Sequence, residues 1–243
     1  MIDIQNAKIE YLGLNVLDGK LFNKKTYYFY DKFPISIPNY IQNILKPFDF
    51  GKRESGFSYS FSSFIPFCDT VKLKILLDFI VDICEISIDK ELFLSDFCKI
   101  AMLEKNIHYD PIISFKIKDE KICGVSFYVT ALKDKSLVPM YYEQVKDLLQ
   151  LDYIPKISKF CKMSIENHFA DMFQIAWDFD KSTFIQNKLY LKVKDKTNFI
   201  ISCKEYFPYI ENYTNIDCFR FCELAFAINN NQLNMLNLYF KPL

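Results

Sequence analysis

The sequence predicts an α+β protein: a ten-stranded antiparallel β-barrel built from αββα repeats, with its helices outside. Three observations lead there. Paired runs of alternating apolar and polar residues recur five times, each pair separated from the next by a helical stretch. Each pair is two-faced, with aliphatic residues on one side and Lys, Tyr and Ser on the other. Ten strands closed on themselves satisfy both faces: helices cover the apolar exterior, polar and aromatic side chains line a lumen, and no sheet edge stays open.

The first pair spans Lys8 to Tyr30, and its turn is Leu17-Asp18-Gly19-Lys20, where Asp-Gly is a strong hairpin signal. Its first strand carries the acid Glu10, and its second carries Lys24 and Lys25 before the run Tyr27 to Tyr30. Residues 37–48 read as a helix, with Ile37, Tyr40, Ile41, Ile44 and Leu45 at helical spacing, Pro38 in the first turn and Pro47 near the stop. The second pair is read as 56–65 and 70–79, in which Val71, Leu73, Ile75 and Leu77 alternate with Lys72 and Lys74. Residues 81–104 turn helical, with Ser87 and Ser95 as candidate caps.

The third pair, 112–118 and 122–131, is joined by the tight turn Asp119-Glu120-Lys121. Two amphipathic helices, 137–151 and 157–172, follow around Pro155. The fourth pair is 172–179 and 188–194, with Lys188, Tyr190 and Lys192 on one face. A helix over 197–206 ends before Pro208, and the last pair, 218–228 and 233–240, turns through Asn229-Asn230-Asn231.

Composition narrows the function. Lys+Arg and Asp+Glu are both 30, so the net charge is zero, against a general nucleic-acid binder that needs excess positive charge. Eight cysteines without a CxxC pair and only two histidines, His108 and His168, argue for reduced core thiols in a cytoplasmic chain rather than a zinc site. The N-terminus lacks a basic-then-apolar signal, and the apolar run 75–83 is broken by Asp78 and Asp82. With 5 Gly and 9 Pro and no linker-like segment in 243 residues, a single domain, 1–243, is expected.

Three stretches carry a resemblance to a known family: Ile9-Glu10 followed by Lys24, the segment NKLYLKVKDKTNF at 187–199, and the terminal LNLYFKP at 236–242. In order and spacing they resemble the ABBA-type aromatic prenyltransferases, and among these the cyanobactin prenyltransferases that modify ribosomal cyclic peptides. Family members run longer and carry a helix before the first hairpin, residues 57–104 match no family stretch, and no DDxxD motif of the isoprenyl synthase type is present.

The resemblance implies a chemistry with three requirements: hold a diphosphate, shelter an allylic cation, and accept a proton from the nucleophile. Lys24, Lys72, Lys116, Lys188 and Arg220, on expected lumen faces, are the candidate diphosphate ligands, because charge-assisted bonds to phosphate oxygens are strong. Tyr28, Tyr128, Tyr190 and Tyr239 are the candidate cation shield, each ring attracting a cation by about 0.5–2 kcal/mol. Glu10, on the face shared with Lys8 and Leu12, is the candidate base.

The expected donor is dimethylallyl or geranyl diphosphate, with Mg2+ as candidate cofactor, a monomeric enzyme and no membrane or nucleic-acid partner. A chain ending three residues past its last strand favours a peptide or other bulky aromatic acceptor. The alternatives are a small-molecule aromatic prenyltransferase and a non-catalytic barrel that binds a lipid or small hydrophobic ligand. Cys218 and Cys222, four apart on a strand, read as core thiols, and His168 as structural or surface.

Overall fold

The computed structural model describes residues 9–28, 37–54, 58–64, 70–103, 112–119, 121–130, 142–143, 145–147, 149–181, 184–230 and 232–243. Its strands are β1 (Ile9–Leu17), β2 (Lys20–Tyr28), β3 (Lys46–Glu54), β4 (Ser58–Phe64), β5 (Ile112–Lys118), β6 (Lys121–Thr130), β7 (Ala170–Asp180), β8 (Phe184–Val193), β9 (Phe219–Asn229) and β10 (Gln232–Pro242). Every neighbour pair is antiparallel, and the order β1-β10-β9-β8-β7-β6-β5-β4-β3-β2 returns to β1 as a closed barrel.

Local chemistry fixes the first turn. Asp18 and Gly19 both have positive φ, 46° and 77°, the conformation a two-residue hairpin turn requires. A Cβ on Gly19 would stand 3.2 Å from Tyr209 Cβ, so close approach as well as φ favours glycine there. The Tyr213 hydroxyl donates to the Gly19 carbonyl oxygen at 2.7 Å and ties the turn to the last helix.

The helices are α1 (Asn39–Gln42), α2 (Thr70–Asp78, running into a π turn over Phe79–Ile83), α3 (Lys90–Leu103), α4 (Pro155–Glu166), α5 (Lys196–Tyr206) and α6 (Glu211–Thr214). Pro155 starts α4 where its missing N–H costs nothing. Asp195 caps α5 by accepting from Asn198 N at 3.1 Å. These helices cover the outward strand faces: Phe93 of α3 meets Phe127, Trp177 and Phe179, and Phe160 of α4 meets Phe199 and Phe226. The buried apolar core therefore lies between helices and barrel wall, as Leu189, Leu191, Leu224, Phe226, Leu236 and Leu238 all attest.

Two expectations are corrected. Residues 70–79 are helix, not strand: Leu73, Leu76, Leu77 and Ile80 are buried at spacings of three and four, whereas Val71 and Ile75 are exposed. The strand that pairs with β4 is β3, whose first three residues fall in the helix expected over 37–48; helix there is confined to Asn39–Gln42. Pro47 and Gly51 in β3 flank a register irregularity, which lets an otherwise poor strand sequence stay in the sheet. Among the described residues, no helix is long and apolar enough to cross a membrane.

Candidate active site

Alternation along β7 sends Ile175, Trp177 and Phe179 to the helix-covered face and Ala176 and Asp178 to the lumen. In β8 the lumen positions are Gln186, Lys188 and Tyr190. Asp178 is fully buried. Its Oδ2 accepts from Lys188 Nζ at 2.5 Å, Gln186 Nε2 at 3.0 Å and, at 3.5 Å, Lys116 Nζ of β5, while its Oδ1 is buried without a hydrogen-bond partner. Burial pushes the Asp178 carboxyl up, but the Lys116 and Lys188 charges, with hydrogen bonds from Gln186 and Lys188, outweigh it and hold the group well below the usual carboxylate range.

The neighbours of Lys188 across both ladders are alanines, Ala176 and Ala227, and Tyr190 faces Ala225. Ala176, Ala225 and Tyr190 form one buried cluster on the lumen side, with Tyr128 and Tyr239 packed against it. One step along the strands lies a tyrosine layer: the Tyr190 ring centroid is 6.2 Å from that of Tyr128 and 5.8 Å from that of Tyr239. Burial, then the nearby Asp178 charge, pushes the Tyr128 hydroxyl up to about 12, and burial with the neighbouring phenols raises Tyr190 well above its usual value. Both stay protonated and neutral across the physiological range.

A further step along, Glu223 of β9 stands in register with Lys192 and Tyr239. It is 8% exposed, and burial pushes its carboxyl from the usual 4.5 up to about 7 against the opposing charges of Lys241 and Lys192. Asn15 and Asn237, in register across β1 and β10, are also buried on this side, and Asn237 Nδ2 has no hydrogen-bond partner. The Lys241 ammonium lies 4.9 Å from the Tyr11 ring centroid. The lumen thus carries three levels: cations on a carboxylate, phenols, and a half-ionised acid. From Lys188 to Lys192 is four residues, about 13 Å along the strand.

Of the expected site residues, the fold brings together Lys116, Lys188, Tyr128, Tyr190 and Tyr239. Lys24 is exposed and in register with Leu14, a helix-facing core residue, so it sits on the outward face instead of the lumen. Lys72 lies exposed on α2 because its segment is helical. Arg220 is exposed at the start of β9, opposite Lys241. Glu10 lies in β1 beside a register irregularity between Ile9 and Tyr11, and Tyr28 ends β2; the side chains of both fall outside the described residues.

Sequence reasoning missed Asp178 and Glu223. Glu223 is the one acid of β9, and Asp178 sits at a lumen position among the apolar and aromatic residues of β7; that pattern was the available signal. Cys218 is exposed rather than a core thiol, and His168 is exposed with φ 58°. Among the described residues no three His, Cys, Asp or Glu side chains converge on a metal-sized point.

Gly124 of β6 supports the cation level. A Cβ there would come within 2.9 Å of the Phe179 carbonyl oxygen and 3.1 Å of Lys116 Cδ. Gly124→Ala is expected to cost about 1–3 kcal/mol in urea unfolding, because backbone must shift to make room.

No family model matches the sequence, and no curated protein matches it. Nine solved chains do. Among them is the crystal structure of NotF in complex with brevianamide F and DMSPP, at TM-score 0.50 and 10% identity, covering 96% of this chain and 79% of that one. The likeness is one of fold, and at that level it supports the ABBA type.

Proposed function

We propose that the lumen transfers a prenyl group from an isoprenoid diphosphate to an aromatic nucleophile. The observation that carries this reading is the convergence of Lys116 and Lys188 on buried Asp178 directly beside the Tyr128–Tyr190–Tyr239 layer. Its fold neighbour NotF, an ABBA aromatic prenyltransferase bound to DMSPP and brevianamide F, supports the choice of donor and of an aromatic acceptor.

In this reading the two ammonium groups meet the diphosphate oxygens, with Asp178 behind them keeping both lysines aimed inward. The bond between the allylic carbon and the diphosphate oxygen breaks, and its electron pair leaves with the diphosphate. The allylic cation then lies against neutral phenol rings, whose faces attract it and whose bulk keeps water away. The aromatic carbon or heteroatom of the acceptor supplies the pair that forms the new bond, and its proton passes to a lumen carboxylate. Glu223 is the described carboxylate in that position, and Glu10 keeps the base role that the family resemblance implies.

A cyclic-peptide acceptor, as in the cyanobactin group, is the finer proposal, and it rests on the resemblance of the three stretches. A second reading, a barrel that binds a small ligand without turnover, draws support from Asp178, which neutralises one of the two lysines. Thermal unfolding with dimethylallyl or geranyl thiolodiphosphate separates the two. A donor at about 100 times its dissociation constant adds roughly 2.7 kcal/mol of stability. The transferase reading expects that gain with at least one donor; no gain with either contradicts it.

A further inference from the structure

A second cavity lies outside the barrel, between its wall and the first turns of α3, with a volume of about 560 Å³. That is within the range of about 300–1,000 Å³ typical of small-molecule pockets. Its back is aromatic. Phe93 meets Trp177 edge-on at 5.8 Å and Phe179 at 5.7 Å, so three rings form one wall. Its polar lining includes two acids, Asp89 and Asp96, on the α3 side.

Asn187 is the residue that does not fit a structural role. On the helix-facing side of the barrel it stands in a cross-strand row between Trp177 of β7 and Ile228 of β9, both of them buried apolar residues. An amide in that row needs a partner, yet its Oδ1 is buried and has no hydrogen bond. Leaving a buried acceptor unsatisfied costs about 1–3 kcal/mol, which an apolar residue at the same position avoids. The side chain that carries it lines the cavity. Of the two acids, Asp89 is partly engaged in capping Leu92 N at 3.0 Å, whereas Asp96 is tied only by a pair with Lys99, which is itself largely exposed. Exposed pairs of that kind contribute little and exchange readily.

We propose that this cavity is a binding site, separate from the lumen, for an arylalkylamine: a single aromatic ring carrying a protonated amine on a short chain. The ring stacks in the Phe93–Trp177–Phe179 wall. Rotation of the Asn187 amide turns its oxygen toward the cavity, where it accepts one N–H of the ammonium, and Asp96 supplies the counter-charge.

Trp177 is the chain's one tryptophan, so its fluorescence reports this cavity alone. Titration of the full chain with tyramine is expected to give a saturable change in Trp177 emission. Asn187→Leu should weaken tyramine by about tenfold, the effect of one hydrogen bond. Asp96→Asn, a substitution at a partly exposed helix position that leaves the wall untouched, should weaken tyramine but leave the uncharged 4-ethylphenol unchanged. A saturating isoprenoid thiolodiphosphate should not displace tyramine, which keeps this test independent of the lumen reading. The proposal is overturned by an unsaturable response, by equal affinity for tyramine and 4-ethylphenol, by both variants binding tyramine as the parent does, or by displacement with the diphosphate.

Discussion

Lys188→Met is expected to destabilise the protein by about 3–5 kcal/mol and to abolish binding of an isoprenoid thiolodiphosphate. Asp178 is 0% exposed, and its closest partner is the Lys188 ammonium. Removing that partner leaves a buried carboxylate with Gln186 and, at 3.5 Å, Lys116 as its remaining compensation. The loss is larger than the net contribution of the pair, because most of it is the penalty of the abandoned charge. Adding Asp178→Asn to the same chain should therefore recover much of the stability. It should not recover diphosphate binding, since the cation is still missing. Urea unfolding and calorimetric titration of the single and double variants check both halves. Wild-type stability in the single variant, or unaltered donor binding in either, contradicts the assignment.

Asp178 also sets a pH limit. Its folded carboxyl lies well below the usual range, so the stability it contributes is present above the unfolded value of 3.8 and is lost as pH falls toward the folded one.

Glu223→Gln is expected to do the opposite to stability. In the unfolded chain the carboxyl ionises near the usual 4.5, and in the folded chain burial moves this to about 7. Between those values the folded protein holds a proton that the unfolded chain has released, so stability falls as pH rises through the window and levels off above it. The wild type should therefore lose about 2–3 kcal/mol from pH 5 to pH 8 on this account alone, and the glutamine variant should lose none of it. At pH 8 the variant is the more stable protein and, with Glu223 as the proton acceptor, an inactive one. A site residue that costs stability to keep is what a functional constraint produces.

The same substitution settles which acid takes the proton. With Glu223 as acceptor, prenyl transfer rises with pH through about 7 in the wild type and is lost in Glu223→Gln, while donor binding survives. Should Glu10→Gln abolish turnover and Glu223→Gln retain it with the same pH profile, the role belongs to Glu10.

Much of the fold could be read ahead because turns and alternation agreed. Asp18-Gly19 and Asn230 take positive φ where the residue types said they would, and alternation between lumen and core holds over 125–129 of β6, 188–191 of β8 and 236–240 of β10, away from the register irregularities. The second strand pair failed for an instructive reason. The segment VKLKILLDF satisfies a strand period through residues 71, 73, 75 and 77 and a helix period through 73, 76, 77 and 80, and only packing decides between them. Its true counterpart, KPFDFGKRE in β3, has Pro, Gly and five charged residues and carries no strand signal of its own. It is a strand because β2 and β4 flank it.

Within the site, the lumen tyrosines and Lys116 and Lys188 followed from alternation alone. Lys24 did not, since its face is set by pairing with Leu14 across the hairpin. Asp178 and Glu223 were invisible as a pair of acids because they lie on strands far apart in sequence, and the pairing of both strands with β8 brings them onto one face.

The most direct test of the central claim is mass spectrometry of acceptors after incubation with dimethylallyl and geranyl diphosphate, using tryptophan- and tyrosine-containing cyclic peptides beside small indoles and phenols. The account predicts at least one acceptor heavier by one prenyl unit with the wild type and none with Lys188→Met carrying Asp178→Asn. No prenylated product from any donor and acceptor, or equal product from that folded double variant, contradicts it.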